Sequence, residues 1–450
     1  MGHTLAVDPD VAYHRLQQRL DRMPTGAPDS AVFQRILRLL FTQEQAELAA
    51  RMPTMCTMAQ LAERVGRSVE ELEPILDDMA RKGLVFDLEH RGERWVSLAP
   101  VVIGFFEFTF MRVREDAPIA ELAELFDEYL FEDGALAHAV FRGSTQIGRS
   151  LVRQESLPDE PAVEVLDWER ATHIVAEAPS VAVGNCPCRQ HAELMGRGCG
   201  APLRTCLSFG SAADALVRAG LADSISNDEG LQILTEAKSA GLAQTADNVQ
   251  HGITYMCNCC GDCCGMMQSI RRYGITGAIA SSNWVGHVDL DKCRGCKKCA
   301  RACPAQAVTM VDNKGQGLRK YWAIVDPDAC LGCGVCDELC RFGAHSMVPR
   351  DQRVFTPETT FDRMVAMAVE RGKLGDLLID TLDGAGPHAV ARVLQVLETL
   401  PADRAQGLVE PLRSLFLRGL LAAVHTARVS TPGPSNPTGA IQPGQRLPSH

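Results

Sequence analysis

The sequence predicts an α+β multidomain chain, mostly helical, in which one small cysteine-rich module lies embedded between helical domains. Three observations carry that expectation. At 450 residues the chain exceeds the roughly 100–200 residues of one typical domain. Apolar residues recur at helical spacing over long stretches on both sides of residues 287–349. Between them stand two identical cysteine quartets, Cys293-x-x-Cys296-x-x-Cys299-x-x-x-Cys303-Pro304 and Cys330-x-x-Cys333-x-x-Cys336-x-x-x-Cys340. The repeat extends upstream, where Val288-Asp289-Leu290-Asp291 is echoed by Val325-Asp326-Pro327-Asp328.

Gaps of two residues let the backbone coil three thiolates around one cubane, while a fourth cysteine after a gap of three points away from it. Residues 287–349 resemble a bacterial two-cluster [4Fe–4S] ferredoxin. The resemblance implies a ferredoxin-like module with two [4Fe–4S] clusters and crossed ligation. Cys293, Cys296, Cys299 and Cys340 would hold one cluster, and Cys330, Cys333, Cys336 and Cys303 the other. Zinc is the alternative, but the cysteine pairs of tetrahedral zinc sites usually stand farther apart in sequence. Arg341 occupies the place where a second proline is usual, which alters a turn rather than a ligand. In the insert after Pro304, Lys314-Gly315-Gln316-Gly317 suggests a surface hairpin.

A net charge of −11 argues against a general binder of nucleic acid or anionic membrane. The first residues show neither the basic region nor the apolar run of a secretory signal. No stretch reaches about 18 apolar residues; the nearest, Val101 to Phe110, is short and carries Glu107. The expectation is a soluble cytoplasmic protein whose cysteines stay reduced for metal.

Residues 1–30 read as a polar N-terminal extension with one helix around Val11–Leu20. Residues 31–112 then show helices around Phe33–Leu40, Thr57–Val65 and Val69–Lys82. Ser68 caps the last of these, with Glu71 completing a capping box. Leu84–Leu88 and Trp95–Leu98 follow as paired strands. This stretch resembles a winged helix-turn-helix, which implies DNA binding through the third helix. That helix carries Glu70, Glu71, Glu73, Asp77 and Asp78 against only Arg81 and Lys82, whereas a phosphate-facing helix is basic. A packing or partner-docking role is the preferred reading, and Cys56 reads as a small core residue. Residues 113–165 read as an acidic helical connector, with Glu121, Glu124, Asp127, Glu128, Glu132 and Asp133 interleaved with apolar residues and a loop at Pro158 and Pro161.

Residues 166–286 form a cysteine-rich middle domain. Cys186, Cys188, Cys199 and Cys206 precede a helical stretch at about 211–241, and Cys257, Cys259, Cys260, Cys263 and Cys264 follow it. Arg189, Arg197 and Arg204 lie among the first group, and guanidinium favours nearby thiolate. The segment resembles the Cys-x-Cys-Arg and Cys-x-Cys-Cys-x-x-Cys-Cys region that precedes the ferredoxin module in certain multidomain bacterial iron–sulfur proteins. The nine cysteines are candidate ligands for one or more additional iron–sulfur clusters. A structural zinc is less favoured on spacing, and a redox-active thiol or soft-metal site stays open. Residues 350–429 read as a helical C-terminal region, with stripes at Phe361, Met364, Val365, Ala368, then Val390, Val393, Leu394, Leu397, then Leu412, Leu415, Phe416, Leu420. The proline-bearing tail, 430–450, reads as disordered.

No phosphate-cradling glycine loop sits between a strand and a helix. The functional expectation is therefore an iron–sulfur electron-transfer protein working with a partner oxidoreductase. Two alternatives stand beside it: a redox-responsive regulator using the winged helix, and a reductase with its active site in the Cys257–Cys264 field.

Overall fold

In the computed structural model, residues 9–113, 117–132, 134–157, 166–312 and 320–385 are described, with Val393, Val396 and Leu397 beyond. The chain divides into two units, 1–407 and 408–450, and every described residue belongs to the first.

The N-terminal part runs α1 (Pro9–Arg22), α2 (Ala31–Leu40), α3 (Gln43–Ala49), β1 (Cys56–Thr57), α4 (Met58–Val65), α5 (Val69–Arg81), β2 (Val85–His90) and β3 (Glu93–Leu98). Ser68 caps α5 and exchanges hydrogen bonds with Glu71, which satisfies two backbone donors that a helix start leaves open. Thr42 and Thr57 do the same for α3 and α4 with Gln45 and Gln60. β1, β3 and β2 form a three-stranded antiparallel sheet in that order, and Cys56 is fully buried in it. Helix α1 is no loose extension, because Leu16 and Leu20 are buried in the same core as α2. Beyond β3 come α6 (Phe106–Phe110), α7 (Ile119–Phe131) and α8 (Ala135–Phe141). Phe106, Phe110 and Phe126 pack edge to face there, an arrangement that aromatic quadrupoles favour.

The middle of the chain corrects the expectation of helical surroundings for the module. It builds a six-stranded sheet from β4 (Gly148–Ser150), β5 (Val181–Asn185), β6 (Arg204–Phe209), β7 (Asp223–Ile225), β8 (Ala243–Asp247) and β9 (Tyr255–Cys259). The order is β4-β8-β9-β6-β5-β7 and every pairing is antiparallel. Helices α9 (Ala171–Ala176), α10 (Pro187–Leu194), α11 (Gly210–Arg218), α12 (Asn227–Ser239) and α13 (Gly265–Tyr273) connect or flank the strands. β4 lies inside the stretch expected as a connector, and β7 interrupts the helix expected over 211–241. Strands of three residues, or one such as Ala243-Gln244-Thr245-Ala246-Asp247 that is polar yet buried, show no apolar alternation to read.

Side chains alternate across a sheet, and Leu207 pairs with Met256. One face therefore carries Val183, Leu207 and Met256, buried with Val175 of α9 and Leu234 of α12. The other carries Cys206, Ser208, Thr245, Tyr255, Cys257 and Cys259. Period-two spacing thus gathers cysteines from two strands on one surface.

The repeat module holds β10 (Trp284–Val288), α14 (Lys298–Ala302), β11 (Val308–Asp312), β12 (Tyr321–Val325), α15 (Val335–Glu338) and β13 (His345–Pro349). β10 pairs with β13, and β11 with β12, both antiparallel. Helices α16 (Thr360–Glu370) and α17 (Leu374–Ala385) then return to the N-terminal helices, where Arg19 of α1 pairs with Asp380 at 2.9 Å. One apolar core runs from α1 through α7 and α13 to Leu331 and Cys333. The expected hairpin at Lys314–Gly317, Asp133, the Pro158–Pro161 loop, most of the stripes beyond residue 389 and the tail lie outside the described residues. Among the described residues no helix is long and apolar enough to cross a membrane.

Candidate metal centres

The two quartets share a local construction. Asp289 Oδ1 accepts hydrogen bonds from the amides of Asp291 and Lys292 at 2.9 and 3.2 Å, and Asp326 Oδ1 from those of Asp328 and Ala329 at 3.0 and 3.4 Å. These side chains fold the turn in front of each first cysteine, which is the role of the upstream echo in the repeat. Gly295 and Gly332 follow at φ +65° and +67°, where a side chain is strained. A Cβ at Gly295 would strike the Tyr321 carbonyl, and one at Gly332 the Trp284 carbonyl. Each fourth cysteine also accepts an amide: Cys303 Sγ from Ala307 at 3.2 Å and Cys340 Sγ from Ala344 at 3.4 Å.

Cys303 comes from the first quartet yet lines one small cavity with Cys330, Cys333 and Cys336 of the second. Cys340 of the second quartet packs in an apolar cluster with Cys293 and Cys299 of the first, and Cys303 and Cys336 join the same cluster. Burial pushes the Cys333 thiol up to about 12 and Cys299 to about 11, and raises Cys303 and Cys336 as well. Such sulfurs stay protonated unless a cation compensates them, so the donor set fits iron–sulfur ligation. Residues 292–344 match the family model of the 4Fe-4S dicluster domain. The chain is an iron–sulfur protein. No curated protein and no solved structure matches it.

The surroundings of the two quartets differ. Cys296 is exposed, with Lys292, Arg294, Lys297, Lys298 and Arg301 exposed around it. Cys333 is buried, and the second quartet carries Asp326, Asp328, Asp337 and Glu338 in sequence. Tertiary structure adds a cation there that local sequence conceals. Arg153, 1% exposed, pairs with Glu338, and the nearby Cys333 and Cys336 favour its charged form while burial opposes it.

Eight of the nine middle cysteines separate into two sets, and Cys186 belongs to neither. Cys199 and Cys260 place their sulfurs 3.6 Å apart, and with Cys263 all three sulfurs lie within 4.8 Å. Hydrogen bonds from Cys263 and Cys199 push the Cys260 thiol down despite burial. Arg189, itself buried, donates to the Asn258 carbonyl at 2.8 Å and to Thr205. Cys186, Cys260, Cys259 and Cys199 hold its charge against desolvation. The loop between Cys260 and Cys263 touches the module: a side chain at Gly261 would meet the Pro304 carbonyl at 2.9 Å.

The second set is a ladder. Cys206 neighbours Cys257, Cys257 neighbours Cys259, Cys259 neighbours Cys264 at the start of α13, and Cys264 neighbours Cys188 in the first turn of α10. Hydrogen bonding to neighbouring thiols and burial raise Cys188, Cys257 and Cys259 well above the ordinary range. The ladder lines a cavity of about 380 Å³, together with Cys186, Cys260, Tyr255 and Glu107. Glu107 is half-buried, and desolvation raises its carboxyl to about 8 although the Gly104 amide donates to it at 2.8 Å. The sequence showed it only as the lone acid of an apolar run, and the glycine inside each quartet only as a repeated Cys-x-Gly-Cys.

Gly295→Ala should displace the Tyr321 backbone and remove the electron paramagnetic resonance signal of one cluster, and Gly332→Ala that of the other. Both signals persisting in both variants would show that neither turn is constrained. A carboxyl raised in the folded state stabilises the fold below its unfolded pKa and loses that contribution as pH rises through the folded value. From about pH 5 to about pH 8 the wild-type melting temperature should fall relative to Glu107→Gln. Each unit of the shift corresponds to about 1.4 kcal/mol. Parallel melting curves across that range would mean Glu107 ionises normally.

Proposed function

We propose that this iron–sulfur protein relays electrons from a partner protein through two [4Fe–4S] clusters to a redox site in the middle of the chain. Cys293, Cys296, Cys299 and Cys340 hold the first cluster, and Cys330, Cys333, Cys336 and Cys303 the second. The observation that carries the reading is the presence of Cys303 among the second quartet's sulfurs, since a crossed ligand ties the two clusters closely together. When bound, such clusters supply one-electron transfer. The exposed basic rim around Cys296 suits a partner with an acidic docking face, because complementary charge steers association. The approach of Gly261 to Pro304 supports passage from the second cluster into the middle sheet.

The centre at Cys199, Cys260 and Cys263 is read as a single thiophilic ion of the zinc class. Zn–S bonds of about 2.3 Å give a tetrahedral edge of about 3.8 Å, and the Cys199–Cys260 separation is 3.6 Å. A cubane spreads its thiolates wider, because each binds a different iron. The alternative favoured from sequence, an additional iron–sulfur cluster, draws on Cys186 as a nearby fourth thiolate and on the charge of Arg189.

The regulator reading rests on the α4–α5 pair and the β2–β3 hairpin. The charges oppose it: Arg81 and Lys82 both pair with Asp78, and Arg94 pairs with Asp77 and Asp87. Negligible duplex-DNA affinity is expected at physiological salt. Nanomolar binding there would reinstate the regulator, since salt suppresses the non-specific electrostatic contribution.

Anaerobically purified protein should contain eight irons, as two cubanes require, and one zinc-class ion. Cys199→Ser should release that ion and leave both cluster signals in place, whereas Cys303→Ser should damage the second cluster. Four or so irons beyond the eight, lost in Cys199→Ser, would restore the additional cluster.

A further inference from the structure

We propose that the cysteine-ladder cavity is a binding site for a small, neutral, planar electron acceptor of the quinone class. The inference rests on the electron relay above and names what receives the electrons. The cavity volume of about 380 Å³ falls within the range of small-molecule sites. Its walls are predominantly apolar, including Phe106, Leu216 and Met266, so the occupant has an apolar body. Charged ligands find little support. Arg363 on the wall pairs with Asp247, and Arg189 donates to the Asn258 carbonyl and to Thr205.

The polar groups on its wall include hydroxyls, Ser208 and Tyr255 among them, and the Glu107 carboxyl. A ligand with carbonyl acceptors on an apolar ring meets both requirements. Position supplies the rest. Cys260 lines the cavity, and the glycine that follows it lies against the Pro304 carbonyl beside Cys303, so one loop joins the cavity wall to the second quartet. The ladder is also a row rather than a cage. Among the described residues no three of its sulfurs lie within 4.8 Å of one another, which argues against an ion occupying the same space.

Reduction of a quinone to its quinol consumes two electrons and two protons. The electrons arrive singly, in two deliveries, from an iron–sulfur reductant of low potential. The protons come from solvent and end on the two quinone oxygens.

The test uses the full-length, anaerobically purified holoprotein and menadione as the probe. Equilibrium dialysis should show saturable binding of one menadione per chain. Ala212→Phe, which places a ring in the cavity from a partly exposed position on α11, should weaken binding at least tenfold with cluster spectra unchanged. In stopped flow, menadione should reoxidise the dithionite-reduced protein at least tenfold more slowly in the variant. Ferricyanide, an anion that the cavity excludes, should react equally with both proteins at the exposed Cys296 side. Menadione that fails to saturate, or that reoxidises both proteins alike, would overturn the site while leaving the relay intact. Iron lost on replacing Cys257 by Ser, with the eight ferredoxin-type cysteines untouched, would overturn it too, by giving the cavity to a cluster. Absence of the two cluster signals from wild-type protein would instead sink the relay.

Discussion

A sulfur taken out of water must be neutral or compensated, and this structure is arranged around that constraint. Sixteen of the eighteen cysteines fall into three arrangements, each with its own solution. The quartets fit iron–sulfur clusters, which neutralise thiolates by direct bonding. The Cys199–Cys260–Cys263 group sits beside the buried guanidinium of Arg189. In the ladder, burial and mutual hydrogen bonding raise Cys188, Cys257 and Cys259, which favours their neutral form. Without compensation, buried anions of this number would oppose folding strongly.

The middle sheet makes these solutions compatible in a small space. Its period-two alternation gives α9 and α12 an apolar face to bury and turns Cys206, Cys257 and Cys259 the other way. Helices α10 and α13 begin at Cys186 and Cys264, bringing further cysteines to the same side at the electropositive end of each helix. The loop between β9 and α13 then reaches the module at Pro304, where a glycine permits the contact. Electron carrier, thiol group and cavity are thereby consecutive parts of one packed core rather than separate domains joined by linkers.

Electrostatics follows the same logic. Counting charges along the chain makes the second quartet acidic and the first basic. The folded protein inserts Arg153 from the segment after β4 beside Cys333 and Cys336, which narrows that difference. Exposure adds one further contrast, since Cys296 is at the surface whereas no cysteine of the second quartet is exposed.

Sequence alone determined what is periodic or spaced along the chain. The quartets, their upstream echo and the Ser68 capping box are local patterns, and local backbone geometry realises them where they stand. The helices around Phe33–Leu40 and Val69–Lys82 were legible for the same reason, as apolar stripes with start and stop signals. The six-stranded sheet was not, because its strands are short, several carry buried polar residues, and they pair across distant segments. Which of the nine middle cysteines group together was equally hidden: Cys199 meets Cys260 only through strand order, and Cys206 meets Cys257 only through register. The cavity, the desolvation of Glu107 and the position of Arg153 belong to tertiary structure entirely, since each depends on which segments enclose a point in space, and no stretch of chain encodes that by itself.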